Sequence, residues 1–122
     1  MRDIAVVPKF RLPCTASSSL GLHHDHVWGN LEELSALAAT GRVELVGAAD
    51  ADAELLVKYR ERFSGETSES YDELLGREGI TAAYVFANNR LGEDLVVKAC
   101  ERGLHCLVEK PMAATLAGAE RM

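Results

Sequence analysis

Short apolar runs alternate with helix-period segments along this chain, and that alternation restricts the fold more than any other feature. Val43 to Ala49 (VELVGAA), Thr81 to Ala87 (TAAYVFA) and His105 to Glu109 (HCLVE) read as strands, with Ile4 to Val7 as a further one. These are continuous apolar runs, as expected of strands covered by helices on both faces. Between them, Trp28, Leu31, Leu34 and Leu37 mark one helical face before the stop at Thr40-Gly41. Asp52 is placed to cap a helix carrying Leu56, Tyr59 and Phe63, which Gly65 ends. Ser70 and Glu73 have capping-box spacing ahead of Leu74 and Leu75, and Leu91, Leu95 and Ala99 belong to a helix ended by Gly103. The expected fold is α/β, a doubly wound parallel sheet with crossover helices, formed by residues 1–122 as one domain.

Two segments depart from that plan. Residues 9–20 (KFRLPCTASSSL) show no periodicity where such a fold uses a turn of about two or three residues, so they are expected to be an insertion or irregular loop. From Thr115 a helical stretch runs into Met122 without a stop signal, and the chain is expected to be cut off before a C-terminal α/β domain.

Composition narrows the function. A net charge of -6, with 13 Lys and Arg dispersed along the chain, argues against nucleic acid as a partner, because phosphate-backbone binding needs a concentrated basic face. No apolar stretch has the length of a membrane span and the first residues lack a secretory pattern, so no membrane partner and a cytoplasmic location are expected. Cys14, Cys100 and Cys106 form no CxxC pair and read as reduced, mostly packed thiols and not as a disulfide framework.

In a parallel sheet the loops after the strands emerge at one edge, where ligands bind. Gly21 to His26, Asp50, Asn88-Asn89 and Glu109-Lys110-Pro111 converge there. Asp50, closing the second strand, is the carboxylate expected to accept hydrogen bonds from an adenosine ribose; it would repel a 2'-phosphate, which favours NAD over NADP. Lys110 at a strand end is suited to hydrogen-bond a substrate hydroxyl or a ribose, and Pro111 is a candidate cis-proline. Gly21, His23 and His24 precede a helix whose backbone N–H groups suit a pyrophosphate. Histidines stand at the second and third glycine positions of GxGxxG, however, and a side chain at the second keeps phosphate from the backbone. The histidines also invite a metal reading through a partial likeness to the HxHxDH set of metallo-hydrolases. Gly21 stands where the first histidine would be, and a helix start capped by Asp25 is the simpler reading, so no metal is expected.

VELVGAADAD (Val43 to Asp52), TAAYVFANN (Thr81 to Asn89) and above all GLHCLVEKPMAATLAGAERM (Gly103 to Met122) resemble the Gfo/Idh/MocA group of sugar and inositol dehydrogenases. The resemblance covers most of the chain from Gly21 onward. It implies a Rossmann domain that binds NAD or NADP, and a second α/β domain carrying much of the substrate site, the acid-base histidine and any homo-oligomer interface. It also implies hydride transfer with a sugar- or polyol-like alcohol, with Asp50 at the ribose, Lys110 catalytic beside the nicotinamide, Glu109 positioning it and Pro111 cis. Asn88 and Asn89 stand in the strand-end motif, which keeps its asparagine but reads Ala87-Asn88-Asn89 in place of threonine-proline-asparagine. The histidine three residues on is Gly92. The altered glycine loop makes a catalytically inactive, degenerate binding module the alternative. A signalling receiver domain, also doubly wound with Lys-Pro after its fifth strand, needs paired acids after the first strand and an aspartate after the third. The sequence reads Pro8-Lys9 at the first place and puts Asp50 after the second strand.

Overall fold

The computed structural model describes residues 15–122. Five parallel strands form one sheet: β1 (Thr15–Leu20), β2 (Val43–Ala49), β3 (Glu66–Ser68), β4 (Ala82–Val85) and β5 (His105–Val108), in the order β3-β2-β1-β4-β5. The connecting helices are α1 (Asp25–Ala39), α2 (Ala53–Arg62), α3 (Tyr71–Leu75) and α4 (Asn89–Glu101), and α5 (Leu116–Arg121) follows β5. The direction of winding reverses between β1 and β4, the switch point at which doubly wound sheets bind ligands.

The first strand is not where the apolar pattern put it. Thr15–Leu20, expected to lie in an irregular segment, is the central strand, and the Ile4 to Val7 run, residues 9–14 and Cys14 lie outside the described residues. Apolar periodicity misses TASSSL because its middle is three serines. Each of them is 1% exposed, and their small side chains let helices pack on both faces of the strand. Ser18 Oγ donates to the Ala82 carbonyl at 3.3 Å, while Ser19 Oγ has no partner among the described residues. With Leu20 as the strand end, Gly21 follows at once and no insertion separates strand from loop.

Two apolar layers enclose the sheet. Leu22, Val27, Leu31, Leu45, Leu56, Tyr59 and Phe86 pack on the α1/α2 side, and Leu20, Leu74, Val85, Leu95, Val96 and Ala99 on the α3/α4 side. In α1 the buried stripe is Val27, Leu31 and Leu34, with Leu37 41% exposed. Spacing by three drifts about 60° per step around a helix, so the expected Trp28 to Leu37 series leaves the core face, whereas spacings of four and three stay on it. The expected caps at Asp52 and Ser70 form, and Thr115, where the last helical stretch was expected to start, caps α5. At the Ser70 cap only half of the box closes: Ser70 Oγ accepts from Glu73 N, but the Glu73 carboxylate takes the Ser68 hydroxyl instead.

β5 departs from the expectation of strands covered on both faces: its side chains alternate between exposed and half-buried, with Leu107 53% exposed. Cys100 is likewise exposed, not packed, and its Sγ lies 4.0 Å from that of half-buried Cys106. Burial, and then the neighbouring Cys100, push the Cys106 thiol up to about 11. No helix among the described residues is long and apolar enough to cross a membrane.

Candidate nucleotide-binding site

Gly21 makes the strand-to-helix turn possible. Its φ is +92°, a backbone conformation natural to glycine, and its N–H donates to the Ala49 carbonyl at 2.9 Å. A Cβ there would stand 2.6 Å from Ala87 N, so the loop after β1 passes directly over the end of β4. The chain then enters α1, which is capped by His24 and not by Asp25. The His24 Nδ1 accepts from His26 N at 3.2 Å, and Asp25 is the first helical residue.

Asp50 is 1% exposed and spans two loops. Its Oδ2 accepts from Leu22 N at 2.7 Å and its Oδ1 from Asp52 N at 2.8 Å. This carboxylate therefore holds the β1–α1 loop to the β2–α2 turn, a structural task that its position after a strand did not reveal. His23, at the second glycine position, covers it: Nε2 lies 3.5 Å from Asp50 Oδ1, an electrostatic contact more than a tight hydrogen bond, and the ring is 71% exposed. Tyr71, which the sequence reading did not single out, lines the same cavity of about 220 Å³ with Gly21, His23, Asp50 and Leu91. Burial, and then the Asp50 charge, raise the Tyr71 hydroxyl above its usual range against a backbone hydrogen bond with Ala51.

On the other side of the switch point, Glu109 and Lys110 follow β5, and the Lys110-Pro111 peptide is cis, as the sequence suggested. Glu109 Oε1 accepts from the Lys110 backbone N at 3.1 Å and faces His26 Nδ1 at 3.5 Å. The contact between the two residues is therefore to the backbone of Lys110. Desolvation pushes the Glu109 carboxyl up, but the Lys110 N–H and then the His26 and His24 rings outweigh it and hold it below the usual range. A cavity of about 240 Å³ joins His23, His24, Asn88, Asn89, Glu109 and Lys110. Asn88 also caps α4, its Oδ1 accepting from Leu91 N at 3.0 Å. The structure thus gathers the sequence-selected residues, Pro111 excepted, around two adjoining cavities that share His23 and Asn88.

A larger cavity, about 610 Å³, lies against α3 and α4. Both of its basic groups are paired there, Lys98 with Asp72 and Arg121 with Asp94, which leaves no free cation among the described residues of its lining to hold a phosphate. The strand-end cavities hold the polar groups still able to act. Among the described residues, no hydrogen bond occupies the N–H groups of His23, His24 and Asp25 at the start of the long helix α1. Free N–H groups at a helix start fit a pyrophosphate. Asp50, with both oxygens engaged but lone pairs remaining, fits a ribose hydroxyl once the His23 ring swings aside.

Fold order, glycine turn and strand-end acid together define a dinucleotide-binding domain of the Rossmann class. The family described as "Oxidoreductase family, NAD-binding Rossmann fold" (GFO_IDH_MocA) matches residues 14–122, and the chain belongs to it. It is 36% identical over 90 residues to 1,5-anhydro-D-fructose reductase from Ensifer adhaerens, covering 73% of this chain and 27% of that protein. The 3-ketoreductase KijD10 from Actinomadura kijaniata, solved with NADP and TDP-benzene, is 30% identical, with a TM-score of 0.75 over 88% of this chain and 32% of that one. A WlbA dehydrogenase from Chromobacterium violaceum, solved with NADH and UDP-GlcNAcA, matches in fold at a TM-score of 0.81 and 19% identity, over 97% of this chain and 33% of its own. The chain spans about a quarter to a third of the length of these relatives.

Proposed function

We propose that this domain serves an oxidoreductase acting on a sugar-like or polyol-like alcohol or ketone, with NAD preferred to NADP. The observation that carries the reading is the meeting of Lys110 and Glu109 with Asn88, Asn89 and the His23-His24 loop around one cavity at the switch point. The relative at 36% identity is by name a reductase of a sugar-type compound, 1,5-anhydro-D-fructose, which supports the substrate class.

The N–H groups of His23, His24 and Asp25 would hold the pyrophosphate, with Gly21 letting the loop lie close to β4. Asp50 and Tyr71 would border the adenosine ribose, and the Asp50 charge disfavours a 2'-phosphate there. Asn88, Asn89 and Pro111 would frame the nicotinamide end of the cofactor. Bound nicotinamide supplies the acceptor or donor of a hydride. Lys110 would hydrogen-bond the reacting oxygen and stabilise the negative charge that develops on it. Glu109 would set the Lys110 backbone through its N–H, and so the direction of the side chain.

Titration of the chain with NADH and NADPH, followed by nicotinamide fluorescence, tests this. Saturable binding with NADH about tenfold tighter is expected, and Asp50→Asn, which removes the charge while keeping the shape, should narrow the difference. Equal or tighter NADPH binding would remove the NAD preference. No binding of either cofactor to a chain folded by circular dichroism would favour a degenerate module disabled by His23. In the full-length protein, Lys110→Ala is expected to lower kcat by about 100-fold or more, and unchanged turnover would remove Lys110 from catalysis.

A further inference from the structure

The loop entering α1 and the end of β5 bring together His24, His26 and Glu109, three groups with metal-ligand chemistry. One donor atom from each lies within 4.8 Å of the others. His26 Nδ1 is 3.5 Å from Glu109 Oε1, and the two imidazole rings sit 4.5 Å apart at 58°. Ligand atoms around a tetrahedral Zn²⁺ at about 2.0 to 2.1 Å are separated by about 3.4 Å, so the His26–Glu109 pair already has the required spacing. The third donor closes the remaining gap by a side-chain rotation, available to half-buried His24.

We infer that His24, His26 and Glu109 form a binding site for a divalent transition-metal ion of the Zn²⁺ type. The donor set selects that class: two imidazoles disfavour Mg²⁺ and Ca²⁺, which take oxygen ligands, and suit Zn²⁺, Co²⁺ and Ni²⁺. Three protein ligands leave a coordination position open, the arrangement of a catalytic or regulatory ion and not of a closed structural one. His24 and Glu109 also line the 240 Å³ cavity, so a bound ion borders it. Among the described residues Glu109 forms no ion pair with Lys or Arg, leaving its second oxygen for an ion. Use of either His24 ring nitrogen gives up the 3.2 Å cap to His26 N, an exposed bond that water replaces at small cost. The sequence alone shows only the two histidines of a helix start, because Glu109 reaches them through the pairing of β1 with β4 and of β4 with β5.

The test is titration of the chelator-treated full chain with Zn²⁺ by calorimetry and with Co²⁺ by visible absorption. One ion per chain is expected, with the intense bands of four- or five-coordinate Co²⁺. His24→Ala, His26→Ala and Glu109→Gln should each weaken binding about tenfold or more, while His105→Ala, on the far side of β5, changes nothing. Glu109→Gln nearly preserves the shape of the side chain and separates ligand loss from misfolding. No saturable binding up to about 1 mM, or binding that survives all three substitutions, overturns the site.

Discussion

Asp50 at the end of β2 and Glu109 at the end of β5 are both acids that follow a strand at the same sheet edge, yet their surroundings differ. Asp50 is 1% exposed and takes a backbone N–H on each oxygen, from two different loops. Glu109 takes one N–H from its own neighbour and turns toward two imidazoles and a cavity. The first carboxylate builds the edge on which a ligand would rest; the second is left available to a ligand. The difference follows from strand order. β2 adjoins β1, so its end meets the β1–α1 loop, whereas β5 is the last strand of the sheet and its end meets that loop only across β4.

Breaking the structural side of this contrast should cost most. Gly21→Ala forces a side chain into a positive-φ turn against Ala87 N and is expected to destabilise the domain by about 3 kcal/mol or more, measured by urea unfolding. Asp50→Ala strands one buried and one half-buried N–H group and should cost about 2 to 4 kcal/mol. If it unfolds at the same urea midpoint as the parent chain, the loop-tying role is wrong. His23→Gly restores the glycine position and uncovers Asp50; NADH affinity is expected to rise about tenfold, with little change in thermal midpoint.

On the Glu109 side the effects should be small in stability and visible in titration. Its folded pKa is depressed, so its contribution is present above the ordinary glutamate range and is lost as pH falls through the lowered value. An NMR titration of the side-chain carboxyl should show a midpoint below that of a model peptide, and a midpoint at or above it would contradict the contacts with Lys110 N–H and the imidazoles. The smallest expected effect is kinetic: exposed Cys100 should alkylate faster than Cys106 at pH 8, because burial keeps the latter in its thiol form.

Most elements from β2 to α5 were legible because each carries a local signal: an apolar run, a cap at Asp52, Ser70 or Thr115, a stop at Gly41 or Gly103. β3 was not, since three residues, Glu66–Ser68, give no period to detect; Gly47 lets this strand approach, for a Cβ there would collide with the Glu66 carbonyl. β1 was missed for the opposite reason. Its serines look like a loop, and only the close packing of neighbours on both faces makes small polar residues suitable for the centre of a sheet.

The sequence by itself determined the alternation of strand and helix, the caps, and the residue types that collect at the strand ends, because these depend on neighbours within a few positions of one another. Tertiary structure decided that TASSSL is the central strand, that Asp50 is occupied by two backbone donors, that His23 covers it, and that Glu109 meets His24 and His26. Each of those facts depends on which strands lie side by side, and strand order is fixed by the burial of both sheet faces together, a property no short segment carries.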